Sequence, residues 1–138
     1  MIARMRYIDR WGLMRNTQVE NIQEHSHMVA VLAHALAVIE NTYFGGQIDP
    51  GAVAVAALYH DASEIITIPD PDVHALVKAA DKLSAYLKCV EELKAGNLEF
   101  KKAKEQTYAA LCQNPIPSLN YFMEHFLSGF ELTLDELN

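Results

Sequence analysis

Apolar residues recur along most of this chain at the three-to-four-residue spacing of a helix, and no stretch shows the strict alternation of a half-buried strand. The clearest segment runs from Gln23 to Asn41, where Val29, Leu32, Ala33, Leu36 and Ala37 mark one face. Phe44-Gly45-Gly46 ends it. Asp49-Pro50 then offers an N-cap and a first-turn proline for a helix from about Gly51 to Ile65. Val73 to Lys94 reads as a long helix closed by Gly96-Asn97. Leu98 to Cys112 and Leu119 to Phe130 follow, separated by Pro115 and Pro117. With a short amphipathic segment at residues 4–15, the expectation is an all-α bundle of about six helices. One connection is abrupt: Thr67-Ile68-Pro69-Asp70-Pro71-Asp72 joins two long helices with two prolines and little else.

Length and composition narrow the class. A chain of 138 residues, 51% hydrophobic and 21% charged, is one ordinary globular domain without repeats or low-complexity tracts. The formal charge of −7 excludes a general nucleic-acid binder, which needs clustered Lys and Arg. It leaves room for a small anionic substrate, because a local arginine or a metal ion overrides net charge. Cys89 and Cys112 have no zinc-type spacing and make no disulfide framework, so both are expected as reduced helix or core residues. The most apolar window, Val29 to Ile39, is interrupted by His34 and is too short for a membrane span. Met1 to Arg6 lacks the apolar region of a signal peptide, so the expectation is a cytoplasmic protein with no membrane partner.

Chemistry enters with His25, His60, Asp61 and Asp81, which arrive from three expected helices in the order H…HD…D. Imidazole nitrogen and carboxylate oxygen together suit a first-row divalent ion. His60 and Asp61 close the apolar run Ala56-Ala57-Leu58-Tyr59, where a charged aspartate is costly unless it is paired or metal-bound. Helical phase decides which groups share a site. From His25, the positions at +4, +7 and +11 are Val29, Leu32 and Leu36, so His25 lies on the core-facing stripe. His27 and His34 sit about 200° and about 180° away, counting roughly 100° per residue. His34 is therefore expected as a hydrogen-bonded interfacial histidine, and His27 beside the site or on the surface. Glu64 follows His60 by four and Asp61 by three, which would place all three on one side of the third helix. Asp81 falls on the flank of the Val77–Ala80–Ser84 face, where its poor mid-helix propensity calls for a tertiary partner. Each residue alone has a plain structural reading, as a satisfied core histidine or a surface carboxylate. Their order, inward faces and shared need for a counter-charge favour a metal site.

The chain resembles the HD-domain phosphohydrolases, and among them the bacterial HD-domain 5′-deoxynucleotidases. The resemblance rests on Ile8-Asp9-Arg10-Trp11-Gly12-Leu13-Met14-Arg15-Asn16, on Glu20-Asn21-Ile22-Gln23-Glu24-His25-Ser26, and on Tyr59-His60-Asp61-Ala62-Ser63-Glu64. Ala80-Asp81-Lys82-Leu83-Ser84-Ala85-Tyr86-Leu87-Lys88-Cys89, Ala95-Gly96-Asn97-Leu98-Glu99-Phe100 and Tyr121-Phe122-Met123-Glu124 extend it over nearly the whole chain. It implies an HD-domain-like helical bundle, a homodimer, and metal-dependent hydrolysis of deoxynucleoside 5′-monophosphates. By position, it implies His25, His60, Asp61 and Asp81 as metal ligands and Glu64 as a catalytic carboxylate. It likewise implies Arg10 as a phosphate-binding arginine and Trp11 as a residue packed near the sugar. One departure matters. The family carries a longer insertion after the Ala-Ser-Glu segment, with a further active-site aspartate that no position here matches. The short passage from Thr67 to Val73 is either a true deletion or a place where residues are missing, and the second is the expectation.

These residue types suit phosphate monoester chemistry. An arginine grips phosphate in a fork that lysine lacks. Glu64 stands ready to take a proton from water or give one to the leaving oxygen, and the indole of Trp11 forms an apolar wall that penalises an extra 2′-hydroxyl. The mixed N/O donor set admits Co, Mn, Cu, Zn or Fe. The competing readings are another HD phosphohydrolase, acting as a broad nucleotide phosphatase or phosphodiesterase, and an inactive metal-bearing helical module.

Overall fold

A computed structural model describes residues 2–62 and 70–131 of the chain. Within them the architecture is helical, apart from one isolated bridge between Asp9 and Asn21. The expectations that fall on residues 63–69, Glu64 and the Thr67–Pro69 passage among them, lie outside the described residues.

The central helix, α1, spans Ile22–Tyr43 and starts with a capping box. The Asn21 side chain accepts from the Glu24 amide at 2.8 Å, and Glu24 reaches back to the Asn21 amide at 3.4 Å. Its buried stripe is the one the spacing predicts: His25, Val29, Leu32, Ala33, Leu36 and Ala37. α2 (Pro50–Leu58) is capped by Asp49, whose carboxylate accepts from the Gly51 and Ala52 amides. α3 (Pro71–Lys94) is capped by Asp70 in the same way, and α1 packs chiefly against α2 and α3. Ala33, Ala37, Ala57 and Ala80 are all fully buried where these three helices meet. Small side chains let the backbones approach closely, which brings polar groups from three elements within reach of one another.

α4 (Lys101–Gln113), α5 (Pro117–His125) and α6 (Leu127–Glu131) close the far side of the core with Phe100, Leu111, Leu119, Phe122 and Leu127. Glu40 on α1 ties α5 in place by accepting from the Ser118 amide at 3.0 Å. No helix among the described residues is long and apolar enough to cross a membrane.

Four expectations change. The segment 4–15 is helical only as a 3₁₀ turn from Ile2 to Tyr7, and an open loop follows it. Trp11 is the reason: its φ of 60° is left-handed, a conformation no α-helix tolerates. The third predicted helix stops at Leu58 instead of Ile65, because the Tyr59 and His60 amides turn back to Ala56 and Ala57. The helix expected from Leu98 begins as a separate 3₁₀ turn, Leu98–Phe100, before α4. The last predicted helix breaks at Phe126, whose amide still bonds Phe122 while the chain redirects into α6.

Candidate metal centre

His25, His60, Asp61 and Asp81 converge. His25 comes from the buried face of α1, His60 and Asp61 from the turn after α2, and Asp81 from the middle of α3. His25 Nε2 lies 2.7 Å from Asp81 Oδ1 and 4.0 Å from Asp61 Oδ2. His60 Nε2 lies 3.4 Å from Asp61 Oδ2 and 3.5 Å from Asp81 Oδ1. The two imidazole rings are 5.3 Å apart. His25 is almost fully buried, whereas the Asp61 and Asp81 side chains are 35% and 44% exposed, so the cluster opens to solvent on its carboxylate side.

The hydrogen bond of His60 fits a cation at the centre. His60 Nδ1 donates to the Ala57 carbonyl at 2.6 Å, which leaves Nε2 as a lone pair aimed into the cluster. That nitrogen is buried and has no hydrogen-bond partner. Asp61 and Asp81 both border the two histidines, and two carboxylates at one cluster favour a counter-ion. Arg10 Nη1 donates to His25 Nδ1 at 2.5 Å, with Ser84 Oγ 3.3 Å away, so the ring is oriented from behind and Nε2 carries the proton toward Asp81 Oδ1, a proton that would have to leave for His25 to bind a cation. Burial lowers the pKa of His60, but the contact with Asp81, the Ala57 carbonyl and the charges of Asp61 and Asp81 outweigh it and raise the net value. Burial likewise pushes Asp81 up, yet the histidine hydrogen bonds dominate and hold its carboxyl well below the usual range.

Beside this cluster stands the loop from Ile8 to Asn21. Its base is pinned by the Ile22 amide on the Ile8 carbonyl at 2.8 Å and by the Arg10 amide on the Glu20 carbonyl at 2.7 Å. Arg10 thus reaches the cluster from a loop. Trp11 leans on Phe100, with ring centres 5.4 Å apart, and Asn16 donates to the Trp11 carbonyl at 3.1 Å to hold the left-handed turn. The two largest described cavities, about 640 Å³ beside Tyr86 and Tyr108 and about 550 Å³ beside Ser26, do not include the cluster.

The quartet and Arg10 therefore come together, with Trp11 on the adjoining turn, and Glu64 is outside the described residues. His60 and Asp61 sit on a turn, so the helical-face argument that grouped them with Glu64 does not describe these two. His27 is exposed, consistent with its expected place, and His34 is also exposed within this chain. Sequence reasoning missed Glu20, Ser84 and Glu92. The available signal was weak: Ser84 and Glu92 are polar residues on the buried face of α3, whereas Glu20 lies in a loop with no periodicity.

The family model described as 5′-deoxynucleotidase YfbR-like matches residues 1–71 and 68–130. The chain is 38% identical to a 5′-deoxynucleotidase of Vibrio cholerae over 185 aligned positions, covering 99% of this chain and 95% of that protein. It is 39% identical to 5′-deoxynucleotidase YfbR of Escherichia coli O1:K1, covering 99% and 93%. In structure it resembles an HD-domain phosphohydrolase from Listeria innocua, with a TM-score of 0.79 and 17% identity over 94% of this chain and 84% of that one. An alignment of 185 positions against 138 residues leaves at least 47 positions without a counterpart here. The family match breaks at residues 68–71, the same abrupt connection.

Proposed function

The chain belongs to the family of YfbR-like 5′-deoxynucleotidases, and from that premise we propose that it hydrolyses deoxynucleoside 5′-monophosphates to deoxynucleoside and phosphate. The observation that carries the reading is the convergence of His25, His60, Asp61 and Asp81 from three elements around the unpartnered Nε2 of His60. These four residues would hold one divalent transition ion, which supplies a Lewis acid that activates water and neutralises phosphate charge. Arg10 grips the phosphate with its guanidinium fork, as a lysine could not. Trp11 stands on the adjoining turn as the sugar wall, where a 2′-hydroxyl meets apolar carbon and loses its water. Glu64 supplies the carboxylate that exchanges a proton with the attacking water or the leaving O5′ oxygen. We place the protein in the cytoplasm as a homodimer, the arrangement its family resemblance implies.

The test is to change His60 or Asp81 to alanine and measure bound metal alongside dAMP hydrolysis. Loss of an outer-shell partner costs about 10–100-fold, so loss of a ligand should cost at least about 100-fold and most of the metal. Retention of both metal and activity in either variant would sink the assignment. One observation favours a second reading, a metal-bearing module without turnover: the relatives carry at least 47 positions that this chain lacks, and the family match divides at residues 68–71. Intact mass decides what the protein contains. A value of 15.4 kDa together with no detectable dAMP hydrolysis would favour the inactive module.

A further inference from the structure

Among the described residues, the Glu20 side chain touches both residues assigned to the substrate. Its Oε2 accepts from Arg10 Nη1 at 3.1 Å and from the indole Nε1 of Trp11 at 3.2 Å. Its other oxygen, Oε1, stands 3.9 Å from His25 Nδ1. The carboxylate is only 16% exposed, which strengthens both interactions by excluding water. The geometry adds a second restraint, because the Arg10 guanidinium lies 5.6 Å above the Trp11 ring. Trp11 pays for its position in backbone strain at φ 60°, and strain of this kind persists only where surrounding contacts over-determine it.

We propose that Glu20 is a positioning residue that sets Arg10 and Trp11 as one unit, so that the phosphate grip and the sugar wall are presented together. A single carboxylate oxygen shared by guanidinium and indole fixes the angle between them. Neither donor can swing away without leaving the other alone on the acceptor. The loop itself does not need this carboxylate: the Glu20 backbone carbonyl already binds the Arg10 amide, and Glu92 anchors Thr17 and Gln18 separately. Loss of the side chain should therefore spare the fold and the metal cluster while loosening the two substrate residues. The proposal rests on the deoxynucleotidase reading for its substrate, but not for its geometry.

The experiment uses the full chain with Glu20→Ala and Glu20→Gln. Trp11 is the sole tryptophan, so its fluorescence reports the indole directly. With Glu20→Ala, tryptophan emission should shift, inorganic phosphate should bind about tenfold more weakly, and KM for dAMP should rise about tenfold. The preference for dAMP over AMP should narrow, with metal content unchanged. Glu20→Gln keeps an amide oxygen for the indole but loses the charge facing Arg10. It should restore the emission and the sugar preference while leaving phosphate binding weak. Unchanged emission and unchanged phosphate affinity in Glu20→Ala would overturn the proposal. A wild type that hydrolyses no deoxynucleotide would overturn the substrate reading instead, and a shifted emission with weakened phosphate binding would still support the positioning role.

Discussion

Replacing Glu92 with alanine should destabilise the fold by about 3–5 kcal/mol, the range for leaving one member of a buried ion pair alone. Glu92 is 1% exposed and its partner Lys88 is 6% exposed, with Nζ 2.8 Å from Oε1. The carboxylate also accepts from the Thr17 amide at 2.9 Å, Thr17 Oγ1 at 2.7 Å, the Gln18 amide at 3.1 Å and Asn97 Nδ2 at 3.0 Å. Alanine would leave the Lys88 ammonium with the Gln18 carbonyl as its remaining hydrogen-bond partner among the described residues, and would release the loop donors as well. At about 3 °C per kcal/mol for a domain of this size, the melting temperature should fall by about 10 °C or more. Urea unfolding gives the free energy, and hydrogen exchange at Thr17 and Gln18 shows whether the loop opens first. Pairing Glu92→Leu with Lys88→Met removes both charges and should recover part of the loss. A Glu92→Ala cost below about 1 kcal/mol, with those two amides still protected, would refute the view that this pair anchors the substrate loop.

Other outcomes follow from the same contacts. Hydrogen bonds from Lys88, Thr17 and Asn97 outweigh burial and hold the Glu92 carboxyl well below its ordinary value. Its stabilisation is therefore present above the unfolded carboxylate pKa of about 4.3 and is lost as pH falls toward the folded value. The stability gap between wild type and Glu92→Gln, measured by urea at several pH values, should shrink below about pH 4; a constant gap would contradict it. Trp11→Gly should be more stable than Trp11→Ala by about 1 kcal/mol, because only glycine takes φ 60° without cost. In enzymatic assays both should narrow the dAMP-over-AMP preference, and an unchanged ratio would remove Trp11 from the sugar wall. Adding a divalent transition metal should raise the melting temperature of wild type by mass action and leave His60→Ala nearly unmoved.

Much of this was legible in local pattern. The stripe on α1 predicts that His25 faces inward and that His27 and His34 do not, because helical phase depends only on spacing. Asp49-Pro50 starts α2 as expected, since a cap needs only its own next two or three amides, whereas α3 starts at Asp70-Pro71, two residues before the expected Val73. Asp81 is found on the flank of a buried face, with the tertiary partners its poor helix propensity called for. The family resemblance named the same quartet by position.

What spacing could not reach was every feature set by a distant partner. The turn that carries His60 and Asp61 exists because the chain leaves α2 at Leu58, seven residues before the apolar pattern does. Arg10 and Trp11 sit on a loop whose shape is held by Glu92, 75 residues beyond Thr17 along the chain, and by Phe100 beside the indole. Glu20 carries no periodic signal and Glu92 only a weak one, its place on the buried face of α3, for a carboxylate that accepts from donors across the fold looks in sequence much like a surface glutamate. Spacing alone determined the buried stripe of α1, the cap of α2 and which histidine faces the core, because those are interactions within a few residues. The tertiary structure decided how the metal donors and the substrate loop meet, because that depends on which distant groups share one low-dielectric space.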